Sequence, residues 1–325
     1  MADELCVVNS VHCSNSRHGG ALLELHTGSD TFIRPSMGSW VSYGLGMENQ
    51  NLPAFVSVAP PAGHGGARNF GSAFLPAHHQ ATTLGHSGSK TADATIEYLR
   101  NPGIRNLEQR RQLDMIERIN RKHLDRTGDS QVDGVIRSFE MAARMQGIAP
   151  GLIDVAKEPE FIRKLYGMDK APTKDFGHRC LLARRLLENG VRFVQVYTAG
   201  WDSHDYIGKS HSERIRSVDK PIAALISDLK ERGLLDDTLV VWTGEFGRTP
   251  DNGIRGGGQR AGRDHNSQAM PIFLAGGGVN AGTVVGGTDE IGEKAVDVVH
   301  PIRDLHVTLL HLLGLDDNKL TYLHG

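Results

Sequence analysis

The chain has 325 residues, 39% of them hydrophobic and 23% charged, and its 36 basic and 38 acidic side chains leave a net charge of −2. This composition is typical of a folded globular protein and excludes disordered and collagen-like chains, and the balanced charge gives no general attraction to nucleic acid. We therefore expect no nucleic-acid partner. The longest apolar runs are well below the roughly 18 to 20 residues that a transmembrane helix needs, so we expect no transmembrane segment either.

Short β-branched apolar runs alternate with helical segments along the chain. The predicted strands lie at 5–11, 54–59, 191–198, 238–243 and 271–275, and the predicted helices at 106–126, 131–146, 179–188, 212–232 and 302–313. This alternation is typical of an α/β fold with a doubly wound, mostly parallel sheet flanked by helices. Residues 60–105 and 250–268 are rich in glycine and lack a clear period, and loops of this length in a compact domain are usually functional.

The cysteines and histidines bear on metal binding. Cys6, Cys13 and Cys180 are an odd number without CxxC spacing, so they support neither a disulfide framework nor a zinc ribbon. The 16 histidines, in contrast, suggest a metal site. HExxH and GxSxG are both absent from the sequence, which removes the usual support for a zinc protease or an α/β-hydrolase.

Three polar segments adjoin the predicted strands. Ligands of open α/β sheets bind beyond the carboxyl ends of the strands, so these segments are the best candidates for a site. Their carboxylates and imidazoles suit Zn²⁺, Mn²⁺ or Mg²⁺, and their guanidinium groups suit an oxyanion. The candidate metal ligands are Asp202, His204, Glu245, Asp264 and His265, and the candidate anion-binding residues are Arg248 and Arg263.

Each segment also has a simpler interpretation. The Asp202 turn is compatible with a hydrogen-bonded loop, Glu245 and Arg248 with a local ion pair, and residues 264–265 with a solvated loop. The occurrence of three such segments at strand ends is what favours a metal site.

Several longer motifs give the chain a family resemblance. They are GWDSH, ERGLLDDTLVVWTGEFGRTP, GRDHN followed by PIFLAGGGV, and DLHVTLLHLLGLD, in this order. The chain resembles the bacterial domain-of-unknown-function family fifteen-oh-one, a sulfatase-like member of the alkaline-phosphatase-like superfamily. The resemblance covers nearly the whole chain and implies one domain over residues 1–325, with a helical and loop insertion at about 60–176. It also implies a divalent-metal site, with Zn, Mn, Mg or Ca, that hydrolyses phosphate or sulfate esters of small molecules or glycans.

Single positions depart from the superfamily pattern. Asp202 and His204 resemble its first metal-binding pair at a tighter spacing, while Glu245 is followed by Phe246, which cannot bind a metal. His265, next to Asp264, takes the place of the later histidine. His18 occupies the position of the catalytic nucleophile, so we expect it to be a metal ligand or a phosphate-accepting nucleophile, or to mark a lost activity.

The ends of the chain differ from the family as well. Relatives begin with an export signal, which implies a periplasmic or extracytoplasmic location, and with a first strand that ends in a metal-binding aspartate. Neither feature is recognisable in MADELCVVNSVH, and relatives continue past LTYLHG. The expectation is therefore a chain truncated at both ends, whose sheet lacks the first strand.

Three hypotheses remain. The first is a metal-dependent phosphate or sulfate ester hydrolase in which His18 is catalytic. The second is an inactive relative that binds anions or glycans, and it is motivated by Phe246 and His18. The third, a phosphate-moving isomerase or mutase, ranks last because it needs a nucleophile that the sequence does not identify.

Overall fold

The computed structural model describes residues 1–91, 103–128, 130–251 and 260–323, which form a mixed α/β protein. Residues 92–102 and 252–259, which belong to the two long loops predicted to be functional, lie outside the described ranges. The helices are α1 (His18–Thr27), α2 (Met37–Leu45), α3 (Asn106–Thr127), α4 (Ser130–Ile153), α5 (Glu160–Leu165), α6 (Ala171–Glu188), α7 (Ile207–Glu231) and α8 (Ile302–Leu312). Within the described ranges, no helix combines the length and apolar character required to span a bilayer.

The strands form two larger sheets and two short ribbons. They are β1 (Leu5–His12), β2 (Phe55–Val58), β3 (Thr82–Leu84), β4 (Phe193–Val196), β5 (Val240–Trp242), β6 (Gly247–Arg248), β7 (His265–Asn266), β8 (Met270–Ala275), β9 (Thr283–Val285), β10 (Gly287–Thr288), β11 (Ala295–Asp297) and β12 (His300–Pro301). The first sheet has the order β12-β1-β8-β5, with β9 also paired to β1, and the second has the order β3-β2-β4. The ribbons are β10 with β11 and β6 with β7.

All five predicted strands and all five predicted helices are present, but the strand directions differ from the prediction. The second sheet is parallel, whereas β8 runs antiparallel to both β1 and β5. The described strands thus confirm the α/β class and a parallel second sheet, whereas the first sheet is mixed. The reason is that β6 pairs antiparallel with β7, which turns the chain back after β5, so that β8 returns beside it without a crossover.

Two features of this arrangement position the loops described below. Strands β2 and β4 pair in parallel with Val58 opposite Val196, so the segments that follow them leave the same edge of the sheet. Strands β5 to β8 form an extended hairpin, with Val240 opposite Ala275 and Arg248 opposite His265. At Gly247 a side chain would collide with the carbonyl oxygen of Ala269, so only glycine permits this close approach.

The core lies where helices cover the sheets. One cluster joins β2 and β4 to α6 and α7, and another joins β1 and β8 to α1 and α8. Between α6 and α7, the buried guanidinium of Arg184 contacts the carboxylates of Glu158, Glu188 and Asp228. This ion cluster fixes the two helices against each other, because an unpaired charge at that depth is costly.

Candidate metal centre

Asp202 lies at the centre of a polar cluster in the loop that follows β4. Arg248 Nη2 donates to its Oδ1 at 2.8 Å, and His204 Nε2 and His265 Nε2 each lie 3.0 Å from the same oxygen. His18 Nε2 is 3.1 Å from Oδ2. Burial alone would raise the pKa of Asp202, but hydrogen bonds from Arg248, His265 and His18, with the charge of Arg248, hold that pKa well below its usual range.

Three atoms of this cluster form a nearly equilateral triangle. His204 Nε2 and His265 Nε2 are 3.2 Å apart, and each is 3.0 Å from Asp202 Oδ1. Two ligands that are each 2.0 to 2.1 Å from a tetrahedral Zn²⁺ are separated by about 3.3 Å. The triangle therefore has the dimensions of one face of a zinc coordination shell.

The ring orientation of His265 strengthens this fit. Its Nδ1 lies 2.7 Å from the carbonyl oxygen of Ser16, which only accepts hydrogen bonds, so the Nδ1 proton points there. Nε2 then donates the hydrogen bond to Asp202 when the ring carries two protons, and offers its lone pair to a metal ion when the ring carries one. A proton or a cation must separate these atoms, and a divalent ion satisfies all three corners of the triangle at once.

A second group of donors lies around His18, the first residue of α1. His18 Nδ1 is 2.7 Å from Glu245 Oε1, and Nε2 faces Asp202. The ligand atoms of His18, Asp202 and His265 lie within 4.8 Å of one another, as do those of His204, Asp264 and His265. The donor set thus suits one or two divalent ions, and His265 belongs to both groups.

Glu245 occupies a place different from that of a ligand. It lies on the side of His18 away from Asp202, and the donor groups found among the described residues do not include it. A carboxylate on the second nitrogen of a metal-binding imidazole fixes the ring and raises its basicity. Glu245 is thus placed where such an orienting partner of His18 would lie, and its role as a ligand stays a prediction of the sequence.

Phe246 and the two arginines complete the walls of the site. Phe246 is buried and stacks on His265 with ring centroids 4.3 Å apart, so it packs the ligands. Arg248 reaches the cluster through Asp202, whereas Nη1 of Arg263 donates to the carbonyl oxygen of Thr249 at 3.0 Å. Arg248 is therefore placed to meet an anion at the cluster, and Arg263 holds the hairpin.

The hairpin is attached to the Asp202 loop through its backbone. Arg263 N donates to Ser203 O at 3.1 Å, and Ile207 N donates to Ala261 O at 2.9 Å. At Gly262 a side chain would collide with the carbonyl oxygen of His204. Close backbone contact at Gly262 thus holds together the two segments that carry the candidate ligands.

The sequence interpretation did not identify His64. Its ring centroid is 4.9 Å from that of His18, and it lies in the loop that follows β2. The rule that ligands bind beyond strand ends applies here too, because GHGG follows the predicted strand at 54–59 after only three residues.

Comparisons with known proteins give one family and distant structural similarity. The family described as protein of unknown function (DUF1501) matches residues 1–325. PsFucS1 sulfatase from Pseudoalteromonas sp. aligns at 15% identity with a TM-score of 0.41, over 98% of this chain and 61% of that one. Ps i-CgsB in complex with k-i-k-neocarrahexaose aligns at 12% identity with a TM-score of 0.42, over 97% of this chain and 65% of that one. The chain thus spans less than two thirds of either structure, and the comparison with curated proteins gives no significant match.

Proposed function

Because the chain belongs to DUF1501, a family of proteins of unknown function, we propose its activity from the cluster around Asp202: a metal-dependent hydrolase of phosphate or sulfate esters. The observation that carries this proposal is the triangle of Asp202 Oδ1, His204 Nε2 and His265 Nε2, with sides of 3.0 to 3.2 Å. Three protein ligands with an open fourth position are typical of catalytic zinc sites. The substrate class is a small-molecule or glycan ester.

The chain's own residues have separate tasks in this proposal. Asp202, His204 and His265 hold the ion, and His18 Nε2 provides a ligand for a second ion on the Oδ2 side of Asp202. A divalent ion bound there would polarise the ester and lower the pKa of an attacking water. Glu245 orients His18, and Arg248 binds the anionic group of the ester.

The start of α1 gives this anion a place next to His18. The first N–H groups of a helix have no partner within the helix and carry a partial positive charge, which favours anions. A Cβ on Gly19 would have no neighbour within 4 Å, so the space beside His18 is open. The proposal therefore places the anion between this helix end and Arg248.

Metal content measured by elemental mass spectrometry tests the proposal. The wild type, Asp202→Asn and the matched control Asp205→Asn are each incubated with Zn²⁺, Mn²⁺, Mg²⁺ or Ca²⁺ and then desalted. Asp205 is exposed and lies on the same loop. We expect one or two ions in the wild type and the control, their loss in Asp202→Asn, and hydrolysis of p-nitrophenyl phosphate or sulfate that follows the metal content. A wild type that binds no metal would refute the proposal.

Binding without turnover is the second candidate. Phe246 supports it, because a packed aromatic ring occupies a position where the superfamily has a metal ligand, and His18 supports it, because it replaces the usual nucleophile. This alternative predicts stoichiometric metal and anion binding, with no release of nitrophenol from either ester.

We also propose that the two larger sheets are parts of one doubly wound sheet of the alkaline-phosphatase type. Among the described strands, β4 pairs only with β2 and β5 only with β8, and both are half-exposed along their length whereas β2 is buried. Trp201, five residues after β4, and Trp242, the last residue of β5, have ring centroids 6.3 Å apart, so the segment that follows β4 contacts the end of β5. A strand between them would bury both, as in the centre of a parallel sheet. Faster amide exchange in β4 and β5 than in β2 is the expected result.

A further inference from the structure

His64 lies at the edge of the metal centre, on an element that contributes none of the candidate ligands. Its ring centroid is 4.9 Å from that of His18, with the planes inclined by 54°. Because β2 and β4 end at the same sheet edge, the loop that follows β2 runs beside the loop that carries Asp202. The imidazole is exposed, and within the described part of the chain it makes no hydrogen bond to the protein. Its nitrogens are therefore free to bind a ligand.

The backbone of this loop is held in an unusual conformation. His64 has φ 50° and Ala59 has φ 53°, in the left-handed region that residues other than glycine seldom adopt, although Asn, Asp and His adopt it more often than most. Asn69, which is fully buried, donates from Nδ2 to the carbonyl oxygen of His64 at 3.0 Å. Gly65 follows with φ 98°, and a Cβ there would lie 2.6 Å from Asn69 Oδ1. The buried Asn69 thus fixes the backbone at His64, and left-handed conformations of residues other than glycine are concentrated at functional sites.

The position of His64 is unsuited to metal binding. The two groups of possible metal ligands among the described residues, given above, share His265, and neither includes His64. An imidazole N–H beside such a cluster is instead suited to an oxygen of a bound anion that faces away from the ion.

We infer that His64 is a substrate-binding residue that donates a hydrogen bond to the tetrahedral oxyanion of the ester, phosphate or sulfate, held at the metal centre. This inference rests on the proposed function, because the anion is placed by the ion and by Arg248. It gives the loop after β2 a part in substrate binding that is separate from metal binding.

His64→Asn tests the inference with little disturbance of the loop, since asparagine tolerates the left-handed conformation and lacks the imidazole. The matched control is His86→Asn, a change of an exposed histidine in the segment after β3. Calorimetric titrations of Zn²⁺ or Mn²⁺, and then of inorganic phosphate and sulfate into the metal-loaded protein, give separate affinities for metal and anion. Thermal unfolding verifies that each variant is folded.

In His64→Asn we expect metal affinity within about twofold of the wild type and anion affinity about tenfold weaker, as for the loss of one charge-assisted hydrogen bond. The control should match the wild type in both titrations. Unchanged anion affinity in a folded, metal-loaded His64→Asn would overturn the inference and leave the proposed function intact. Loss of metal would overturn it too, because His64 would then be a ligand. If the wild type binds no metal, the proposed function fails, and unchanged anion binding by metal-free His64→Asn then refutes the inference as well.

Discussion

Glu245 provides the sharpest test of how the metal centre is built, because the sequence suggests a ligand and the geometry an orienting residue. Its Oε1 accepts from His18 Nδ1 at 2.7 Å, a length typical of a charge-assisted hydrogen bond. In Glu245→Gln the amide oxygen can still accept this proton, but the charge is lost. Removal of an orienting partner of this kind lowers metal affinity by about 10- to 100-fold, equivalent to about 1.4 to 2.7 kcal/mol.

A competition titration with a chromophoric chelator measures this change. Zn²⁺ is partitioned between the chelator and the wild type, Glu245→Gln, or the control Glu290→Gln, whose side chain is exposed. We expect an unchanged number of ions per chain in all three proteins, with weaker binding at the His18 position in Glu245→Gln alone. If Glu245→Gln binds one ion fewer at saturating Zn²⁺, Glu245 is a ligand and the reasoning from the His18 contact is wrong.

Three further predictions concern the framework of the site. Gly262→Ala should displace the hairpin from the Asp202 loop and weaken metal binding, because the added Cβ would collide with the backbone. Gly208→Ala in α7, where a Cβ has open space, should leave the metal affinity unchanged. The chelator titration compares the two variants. Burial, with a smaller effect of a neighbouring histidine, lowers the pKa of His26 to about 4. Folding therefore disfavours the protonated form of His26. Its contribution to the free energy of unfolding is complete above about pH 6.5 and is lost as the pH falls towards 4, by up to about 1.4 kcal/mol per pH unit. Denaturant titrations should show a shallower fall over this range in His26→Gln, and a parallel fall would contradict the prediction. Arg184→Met should reduce the free energy of unfolding by about 3 kcal/mol, since it removes the buried guanidinium and leaves Glu158, Glu188 and Asp228 only their outer partners Arg185 and Arg232. Arg121→Met on the exposed face of α3 should cost about 1 kcal/mol or less. Equal losses of unfolding free energy in the two arginine variants would show that the buried ion cluster stabilises the fold no more than an exposed ion pair does.

The existence of most elements was predictable from the sequence, because their apolar periods are clear. Helix α1 was missed since HGGALLELHT contains two glycines, each of which costs about 1 kcal/mol in a helix relative to alanine. Packing stabilises it instead, with Ala21 and Leu23 buried. The direction of β8 was not predictable either, because it depends on the β6–β7 pairing, and two-residue strands have no recognisable period.

For the candidate site, the sequence predicts which residues come together but not which of their atoms are in contact. Asp202 and His204 stand out because they follow a strand, and α/β sheets bind ligands beyond the carboxyl ends of their strands. His265 comes before β8 and reaches the same place because β8 runs antiparallel to β5. The sequence does not reveal which ring nitrogen faces which oxygen, and this choice is what separates the roles of Glu245 and His18. It likewise does not show that Arg263 donates to the hairpin backbone while Arg248 reaches Asp202.

The contact between His265 and the carbonyl oxygen of Ser16 joins residues that are 249 positions apart in the chain. An ion held by His18, Asp202 and His265 would therefore act as a cross-link between the beginning, the middle and the end of the protein. The unfolded chain cannot offer these ligands together, so binding would favour the folded state by about 2.7 kcal/mol when the free ion is at 100 times its dissociation constant. A melting temperature that rises with the concentration of a divalent ion, and falls again when the ion is chelated, would demonstrate that cross-link.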